Sequence, residues 1–508
     1  MKIHRYGIIY AEKALFLFNM NRFASIFLGL AFCTLALQAQ TPAQQYVNSQ
    51  VAQEPLKGST WGIYAKDASG KVLASYNAGT RLMPASNRKL ITTGVALHAL
   101  GPDFRFRTAL GYSGTLREDG TLDGDIYIIG GGDPTIGTRD TTIALKADAL
   151  FWKWKTLLRE KGIRRINGRI IGDGSSMEGL LEHPTWEYYD TGTYYGTGGN
   201  ALCFYQNTID MEVAATREGE PVSLRQVYPE TPWLHVTNFG VTGPAGSGNS
   251  LYLYTSDLAP YAQMRGVFGV DRKPKTESTA NKYGALTCAY YFWKNLRETG
   301  WEVTGGYAHV SRAGRIQGPD FEEKEKAGKP VEIGYTESPR LADIARITNE
   351  RSDNFYAESI LRFMGEKATG VAEYDSCLVA ESVVLKDLGL SMDQIYLADG
   401  SGLSGNNLVT PEWMVAFLEA MQKSAAFPEF LASLPKPGEG TLSPIRFPGS
   451  DRVRMKSGSF TGTLCYSGYI LDPSGKPAVT FSILTNSSLS GVSQVRATLM
   501  QMVRRLME

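Results

Sequence analysis

The chain changes character between Met211 and Ala262. This segment consists of short strand-like runs separated by turn residues and lacks helical periodicity, whereas helical patterns come before and after it. We predict that it is a small β module inserted into a neighbouring domain. The chain has 508 residues, too many for one hydrophobic core, and about 150 residues per domain suggests roughly three domains.

The flanking regions predict an α/β (α+β) domain. A hairpin pattern, "TWGIYAKDASGKVLASYNAG", precedes a helix that begins near Ser86, and strong helical patterns follow residue 338. The chain ends with two strand-like runs around an Asp-Pro-Ser-Gly turn and a last helix from Val492 to Met507. We therefore expect an antiparallel sheet covered by helices, interrupted after its first helix by a mostly β region.

The first 39 residues resemble a secretory signal segment. Met20 and Arg22 precede an apolar run from Phe23 to Leu37, and small and polar residues around Ala39 supply a cleavage site. The alternative, a membrane anchor, needs about 20 apolar residues and this run is shorter. No later apolar run reaches spanning length. We predict export to the periplasm without a transmembrane anchor.

The balance of charge argues against nucleic acid as a partner. Lys and Arg total 52 and Asp and Glu total 51, a formal net charge of +1.

The histidines lack the HxxxH spacing of zinc ligands, and no G-x-S-x-G sequence is present. We expect no metal or cofactor, and the base of any serine enzyme here is not expected to be histidine. Buried thiols are favoured over disulfides, although a disulfide stays open, for Cys203, Cys288, Cys377 and Cys465.

Ser86 and Lys89 form an S-x-x-K pair at a predicted helix start. Residues three apart share one face of a helix, and Pro84 favours a helix start at this point. A helix N-terminus offers N–H groups and partial positive charge to a developing oxyanion. The non-catalytic alternative is an N-cap serine followed by a solvated lysine.

Two further motifs follow in order along the chain. Ser352 and Asn354 form S-x-N between two predicted helices. Lys456, Ser457 and Gly458 form K-S-G on a predicted strand. Taken alone, each motif can be explained as a turn or as the exposed end of a strand. Together with S-x-x-K, they match the active-site set of penicillin-recognising serine enzymes.

The chain resembles the class C low-molecular-mass penicillin-binding proteins, the D-alanyl-D-alanine carboxypeptidase/endopeptidase family. Ser86 and Ser352 are 266 positions apart, and that family carries two nested extra domains between its first two motifs. Stretches such as "GDIYIIGGGDPTI" and "ADGSGLSGNNLVTP" also match it. The resemblance implies these segments: 1–39 signal; 40–105 and 311–508 catalytic domain; 106–210 and 263–310 insert domain II; 211–262 small β insert domain III.

The resemblance also implies a role for each motif residue. Ser86 would attack the carbonyl between two D-alanines, with Lys89 as base, its pKa lowered by burial and by Lys456. Ser352 would relay a proton to the leaving amine, and Asn354 would hold the amide of the acyl group. The set expected to bind substrate is Lys456, Ser457, Gly458 and Ser459, the N–H groups of Ser86 and Ser459 accommodating the oxyanion.

Two further predictions concern the rim of the cleft. Asp190, in "PTWEYYDTGTYYG", matches a family position that binds the free amino end of the stem peptide; a plain surface Asp is the alternative. The glycine-rich loop from Ala398 to Gly405 lies near the active site in relatives, but we expect it to serve mainly as a structural turn.

The function implied is an exported serine D-Ala-D-Ala carboxypeptidase acting on peptidoglycan stem peptides and acylated by β-lactams. Cleavage of D-alanyl cross-links, an endopeptidase activity, uses the same chemistry and stays open. A β-lactamase is disfavoured by the long insertion, and a non-catalytic wall-binding module is disfavoured by the complete motif set. The sequence leaves the oligomeric state unknown.

Overall fold

The structure is a computed structural model that describes residues 40–177 and 179–508. The predicted signal segment lies outside the described residues. The α-helices are α1 Pro42–Gln50, α2 Arg88–Leu100, α3 Ala147–Glu160, α4 Gly284–Glu298, α5 Leu341–Arg351, α6 Asn354–Thr369, α7 Tyr374–Asp387, α8 Pro411–Met421, α9 Phe427–Ser433 and α10 Val492–Arg505. The strands are β1 Thr60–Asp67, β2 Val72–Tyr76, β3 Arg107–Tyr112, β4 Thr115–Leu116, β5 Thr121–Asp123, β6 Ile126–Ile129, β7 Arg165–Ile166, β8 Ile170–Asp173, β9 Thr208–Ala214, β10 Ser223–Tyr228, β11 His235–Gly243, β12 Tyr252–Ser256, β13 Ala259–Gly269, β14 Lys275–Ala280, β15 Glu302–Val303, β16 Tyr307–Val310, β17 Arg315–Gln317, β18 Glu323–Lys326, β19 Val331–Glu337, β20 Val453–Phe460, β21 Thr463–Leu471 and β22 Pro477–Asn486.

A five-stranded antiparallel sheet forms the centre of the first and last parts of the chain, in the order β2-β1-β22-β21-β20. Every residue of β21 is buried because helices cover both faces of the sheet. Tyr466 and Ile470 face the core shared with α1 and α10, whereas Cys465 and Tyr469 face the core that contains α2 and α8. The predicted antiparallel sheet covered by helices is confirmed.

The first insertion is built on a seven-stranded sheet in the order β18-β17-β16-β8-β6-β3-β19. Strands β6, β8 and β16 are parallel, and α4 packs against β8 and β16. The polar segment after residue 314 contributes β17 and β18. Strand β19 pairs with β3 beyond the predicted boundary at residue 310. We propose that the chain returns to the catalytic domain near Ser338, which is hydrogen-bonded to Phe106 on the outgoing chain.

The small β module contains two three-stranded sheets, β10-β9-β14 and β11-β13-β12. Strand β13 pairs along its length with β11, and β14 pairs with β9, so the paired strands run from Thr208 to Ala280. We propose that the module extends from Thr208 to Ala280, beyond both ends of the segment 211–262.

Two predictions from the sequence concern the state of the cysteines and the presence of membrane-spanning helices. Cys203, Cys288, Cys377 and Cys465 are all buried free thiols, as predicted. Among the described residues, no helix has the length and apolar character needed to cross a membrane.

Candidate active site

Ser86 lies in a short 3₁₀ turn, Ala85–Asn87, that leads directly into α2. Lys89 follows three residues later, and its Nζ donates to Ser86 Oγ over 3.0 Å. Ala85 has a φ of +46°, a left-handed conformation that costs about 1–3 kcal/mol for a residue with a Cβ. The strain lies directly before a half-buried serine whose hydroxyl is paired with an amine.

The ammonium of Lys89 is fully buried and held by three acceptors. Besides Ser86, Nζ donates to Asn354 Oδ1 over 2.6 Å and to the carbonyl oxygen of Ser401 over 2.8 Å. Burial lowers the pKa of Lys89 to about 8, although the nearby carboxylates of Asp399, Glu358 and Asp353 raise it. A neutral amine is therefore accessible near neutral pH.

Besides burial, the charge of the chain neighbour Arg88 lowers the pKa of Lys89. The pKa of Lys456 itself is held well below its usual value, first by burial and then by the charge of Lys89. Arg88 pairs with the buried carboxylate of Glu381 at 2.6 Å, so its own charge is balanced.

The second motif lies at the junction of α5 and α6. Ser352 ends α5 in a left-handed conformation, and Asp353 caps α6 by accepting from the backbone N–H of Tyr356. Asn354 begins α6, where its Oδ1 accepts from Lys89 and its Nδ2 donates to the carbonyl oxygen of Tyr195 over 3.0 Å. The sharp turn thus directs Ser352 and Asn354 toward the first motif.

The third motif lies on β20, the edge strand of the five-stranded sheet. Lys456 Nζ donates to Ser352 Oγ over 2.9 Å, and the Ser457 hydroxyl lies 2.8 Å from that of Thr441. A Cβ at Gly458 would lie 2.5 Å from the carbonyl oxygen of Pro84 and 2.9 Å from the backbone N of Ser86. Glycine therefore lets the strand approach the serine turn, and exposed Ser459 follows on the same strand.

Asp190 is buried in a 3₁₀ turn that begins at this residue. Its Oδ1 accepts from the hydroxyl of Tyr195 over 3.0 Å. The pKa of Asp190 is raised to about 6, chiefly by burial; the hydrogen bond from Tyr195 lowers it and the charge of Glu187 adds to the increase. The backbone carbonyl of Tyr195 accepts from Asn354, which in turn binds Lys89. Asp190 is therefore connected to Lys89 through two residues, Tyr195 and Asn354.

The loop from Ala398 to Gly405 contacts Lys89 directly, so it does more than serve as a structural turn. Its Ser401 carbonyl binds Lys89, and the carboxylate of Glu358 accepts the N–H groups of Gly400 and Ser401, the latter over 2.7 Å. Burial and the charge of Asp399 raise the pKa of Glu358 to about 7. The sequence reading missed Glu358, although it lies one helical turn after Asn354, on the same face of α6.

The structure thus brings all three motifs into one cluster. A serine hydroxyl, an amine with a lowered pKa and a second serine–lysine pair meet at an edge strand, an arrangement suited to nucleophilic attack on a carbonyl. Within residues 40–177 and 179–508, no group of His, Cys, Asp and Glu is arranged to hold a metal ion.

Comparison with known proteins agrees with this arrangement. The model of the D-Ala-D-Ala carboxypeptidase 3 (S13) family matches residues 43–508. The D-alanyl-D-alanine carboxypeptidase of Actinomadura sp. (strain R39) is 28% identical over 462 residues, covering 88% of this chain and 81% of that protein. D-alanyl-D-alanine carboxypeptidase DacB of Haemophilus influenzae is 26% identical over 510 residues, covering 96% and 98%.

Solved structures agree with the sequence comparisons. The crystal structure of penicillin binding protein 4 (dacB) from H. influenzae has a TM-score of 0.75 at 26% identity, covering 90% of this chain and 98% of that one. The same protein in complex with a β-lactam has a TM-score of 0.70. With nearly all described residues matched by the family model, the chain belongs to the D-Ala-D-Ala carboxypeptidase 3 (S13) family.

Proposed function

We propose that this chain is a serine carboxypeptidase that removes the terminal D-alanine from peptidoglycan stem peptides through an acyl-enzyme on Ser86. The observation that carries the proposal is the 3.0 Å contact between Lys89 Nζ and Ser86 Oγ, with the pKa of Lys89 lowered to about 8. At neutral pH a lysine with this pKa is neutral in a much larger fraction of molecules than a solvated lysine, so it is available to accept the serine proton.

Acylation begins when Ser86 Oγ attacks the carbonyl of the penultimate D-alanine and its proton passes to Lys89 Nζ. The N–H groups of Ser86 and Ser459 accommodate the oxyanion. The C–N bond then breaks as the proton held on Lys89 passes through Ser352, whose hydroxyl accepts a hydrogen bond from Lys456, to the leaving amine, and Lys89 becomes neutral again. Water hydrolyses the ester, and its proton returns through Lys89, so that Ser86 recovers its hydroxyl.

The remaining residues bind the peptide. Lys456 and the hydroxyl of Ser457 bind the terminal carboxylate, and Gly458 lets β20 lie close to the turn that carries Ser86. Asn354 chiefly holds Lys89, and its Nδ2 exchanges the carbonyl of Tyr195 for the substrate amide when peptide enters. Asp190 binds a free amino group on the stem peptide.

Carboxypeptidase activity is favoured over cleavage of cross-links because the matching family and the named relatives are all described as carboxypeptidases. We propose export through the segment 1–39 to the periplasm, where peptidoglycan is found. We also propose that β-lactams acylate Ser86, since the H. influenzae relative is known in complex with one.

A fluorescent penicillin tests the nucleophile. We expect covalent labelling of the unmodified chain and none of Ser86→Ala, because the hydroxyl forms the ester; Ser176→Ala, a serine remote from Lys89, serves as the control. Labelling that persists in Ser86→Ala would exclude Ser86. Release of D-alanine from a pentapeptide, compared with cleavage of a cross-linked dimer, separates the two peptidase activities, and rapid hydrolysis of the penicillin ester would indicate a β-lactamase.

A further inference from the structure

Exposed tyrosines are concentrated on the insert domains beside the active site. Tyr188, Tyr189 and Tyr194 lie in the segment that carries Asp190, and their exposed fractions are 70%, 37% and 58%. Tyr252, on β12, is 37% exposed and its ring centroid lies 5.4 Å from that of Tyr189. Adjacent exposed aromatic rings of this kind mark a binding surface in soluble proteins.

A cavity of about 200 Å³ opens beside these rings, between the segment 192–195 and the small β module. Tyr194, Tyr195 and Tyr252 supply its aromatic wall, and Asn249, Glu277 and Ser278 supply polar groups. Glu277 is oriented by Asn249 Nδ2, which donates to its Oε1 over 2.6 Å. A cavity of about 150 Å³ holds a benzene ring, so this one has room for a single six-membered ring with substituents.

Tyr195 connects the wall of the cavity to the candidate active site. Tyr195 lines it, donates its hydroxyl to Asp190, and accepts at its carbonyl from Asn354, which binds Lys89. A ligand in the cavity therefore lies next to the proposed peptide site. The stem peptide is covalently joined to a sugar chain, so the sugar of the same substrate molecule stays within the length of a short peptide from this cleft.

We propose that this cavity and the tyrosines around it bind a pyranose ring of the glycan strand to which the stem peptide is attached. A pyranose presents apolar C–H groups on its faces, which pack on aromatic rings, and hydroxyl or acetamido groups at its edges, which pair with Glu277, Asn249 and Ser278. A second stem peptide is the competing occupant, but an aromatic wall with oriented side-chain hydrogen-bonding groups at its edge matches a sugar better. The inference rests on the proposed function, since it assigns the sugar of that same substrate.

The test compares two substrates that carry the same pentapeptide. One is the free pentapeptide, and the other is a soluble strand of alternating N-acetylglucosamine and N-acetylmuramic acid that carries it. We expect Tyr252→Ala and Glu277→Gln each to lower kcat/KM for the glycan-borne pentapeptide about tenfold through KM, with the free pentapeptide cleaved as before. Binding of the peptide-free tetrasaccharide, followed by calorimetry, falls by a similar factor.

Tyr261→Ala is the matched control, because Tyr261 is a 65% exposed tyrosine on β13 that stacks on His235 and does not line the cavity. Equal losses on both substrates would assign these residues to the peptide site and overturn the inference, as would an unchanged KM for the glycan-borne substrate. Failure of the unmodified chain to cleave the free pentapeptide would instead contradict the proposed function, and tetrasaccharide binding remains a separate readout.

Discussion

At the scale of single residues, burial controls the chemistry of the site. Lys89 and Lys456 both lie fully buried, and burial is the largest cause of the lowered pKa of each. The identities of the motif residues could be predicted from the sequence because their order and spacing are local facts. Their electrostatic environment could not, since Asp399, Glu358 and Asp353 reach Lys89 only through folding.

The pH dependence of acylation follows from the pKa of Lys89, which is about 8. The neutral amine accepts the proton of Ser86, so we expect the acylation rate to rise about tenfold per pH unit below pH 8 and to level off above it. Single-turnover acylation by a chromogenic cephalosporin between pH 6 and 10 measures this. A rate that increases only near pH 10 would contradict the role of burial.

Asp190→Asn tests the proposed amine site. A charge-assisted hydrogen bond to a buried carboxylate contributes about 1.5–3 kcal/mol, so we expect kcat/KM to fall about 10- to 100-fold for a pentapeptide with a free side-chain amine. The same peptide with that amine acetylated is the control substrate and should respond little to the variant. Equal responses to both peptides would mean that Asp190 only supports the fold.

At the scale of elements, local patterns predict the helices and the strand that carry the motifs, whereas the pairing of the insert strands does not follow from local patterns. Strand β20 and helices α2 and α6 follow from short-range periodicity and caps in the sequence. Strands β14 and β19 depend on pairing with β9 and β3, which lie more than 60 residues away along the chain, and such non-local pairing leaves no local pattern. The contact of the loop at Ser401 with Lys89 was missed for the same reason.

Gly458→Ala tests the close packing of β20 against the serine turn. The added Cβ meets backbone atoms of Pro84 and Ser86 at 2.5 and 2.9 Å, so the strand or the turn must shift. A displacement of this size at the nucleophile predicts at least about a 100-fold loss of acylation rate.

Gly79→Ala is the matched control, because a Cβ there has no neighbour within 4 Å and its φ lies outside the left-handed region. Circular dichroism confirms whether each variant is folded. A folded Gly458→Ala protein that reacts with penicillin at the normal rate would show that the close approach is not required.

At the scale of the whole molecule, the insert domains form one wall of the active site. The insert segment from Asp190 to Asn207 contacts the start of α6. The carbonyl oxygen of Tyr195 accepts a hydrogen bond from Asn354, and Gln206 Nε2 donates to Asp353 Oδ2 over 2.7 Å. Tyr205, Gln206 and Asn207 all adopt left-handed conformations to make this turn. The long insertion is therefore structurally coupled to the motif that holds Lys89.

Gln206→Ala tests this coupling across the two domains. The substitution removes a donor from Asp353, a partly buried carboxyl group whose pKa burial already raises. Loss of such a hydrogen bond costs about 1.5–3 kcal/mol, so we expect the temperature at which half the penicillin-labelling capacity is lost to fall by a few degrees. Gln53→Ala, at an exposed glutamine after α1, should leave that temperature unchanged. If both variants inactivate at the same temperature as the unmodified chain, the insert does not stabilise the catalytic motif, and the wall it forms serves substrate binding alone.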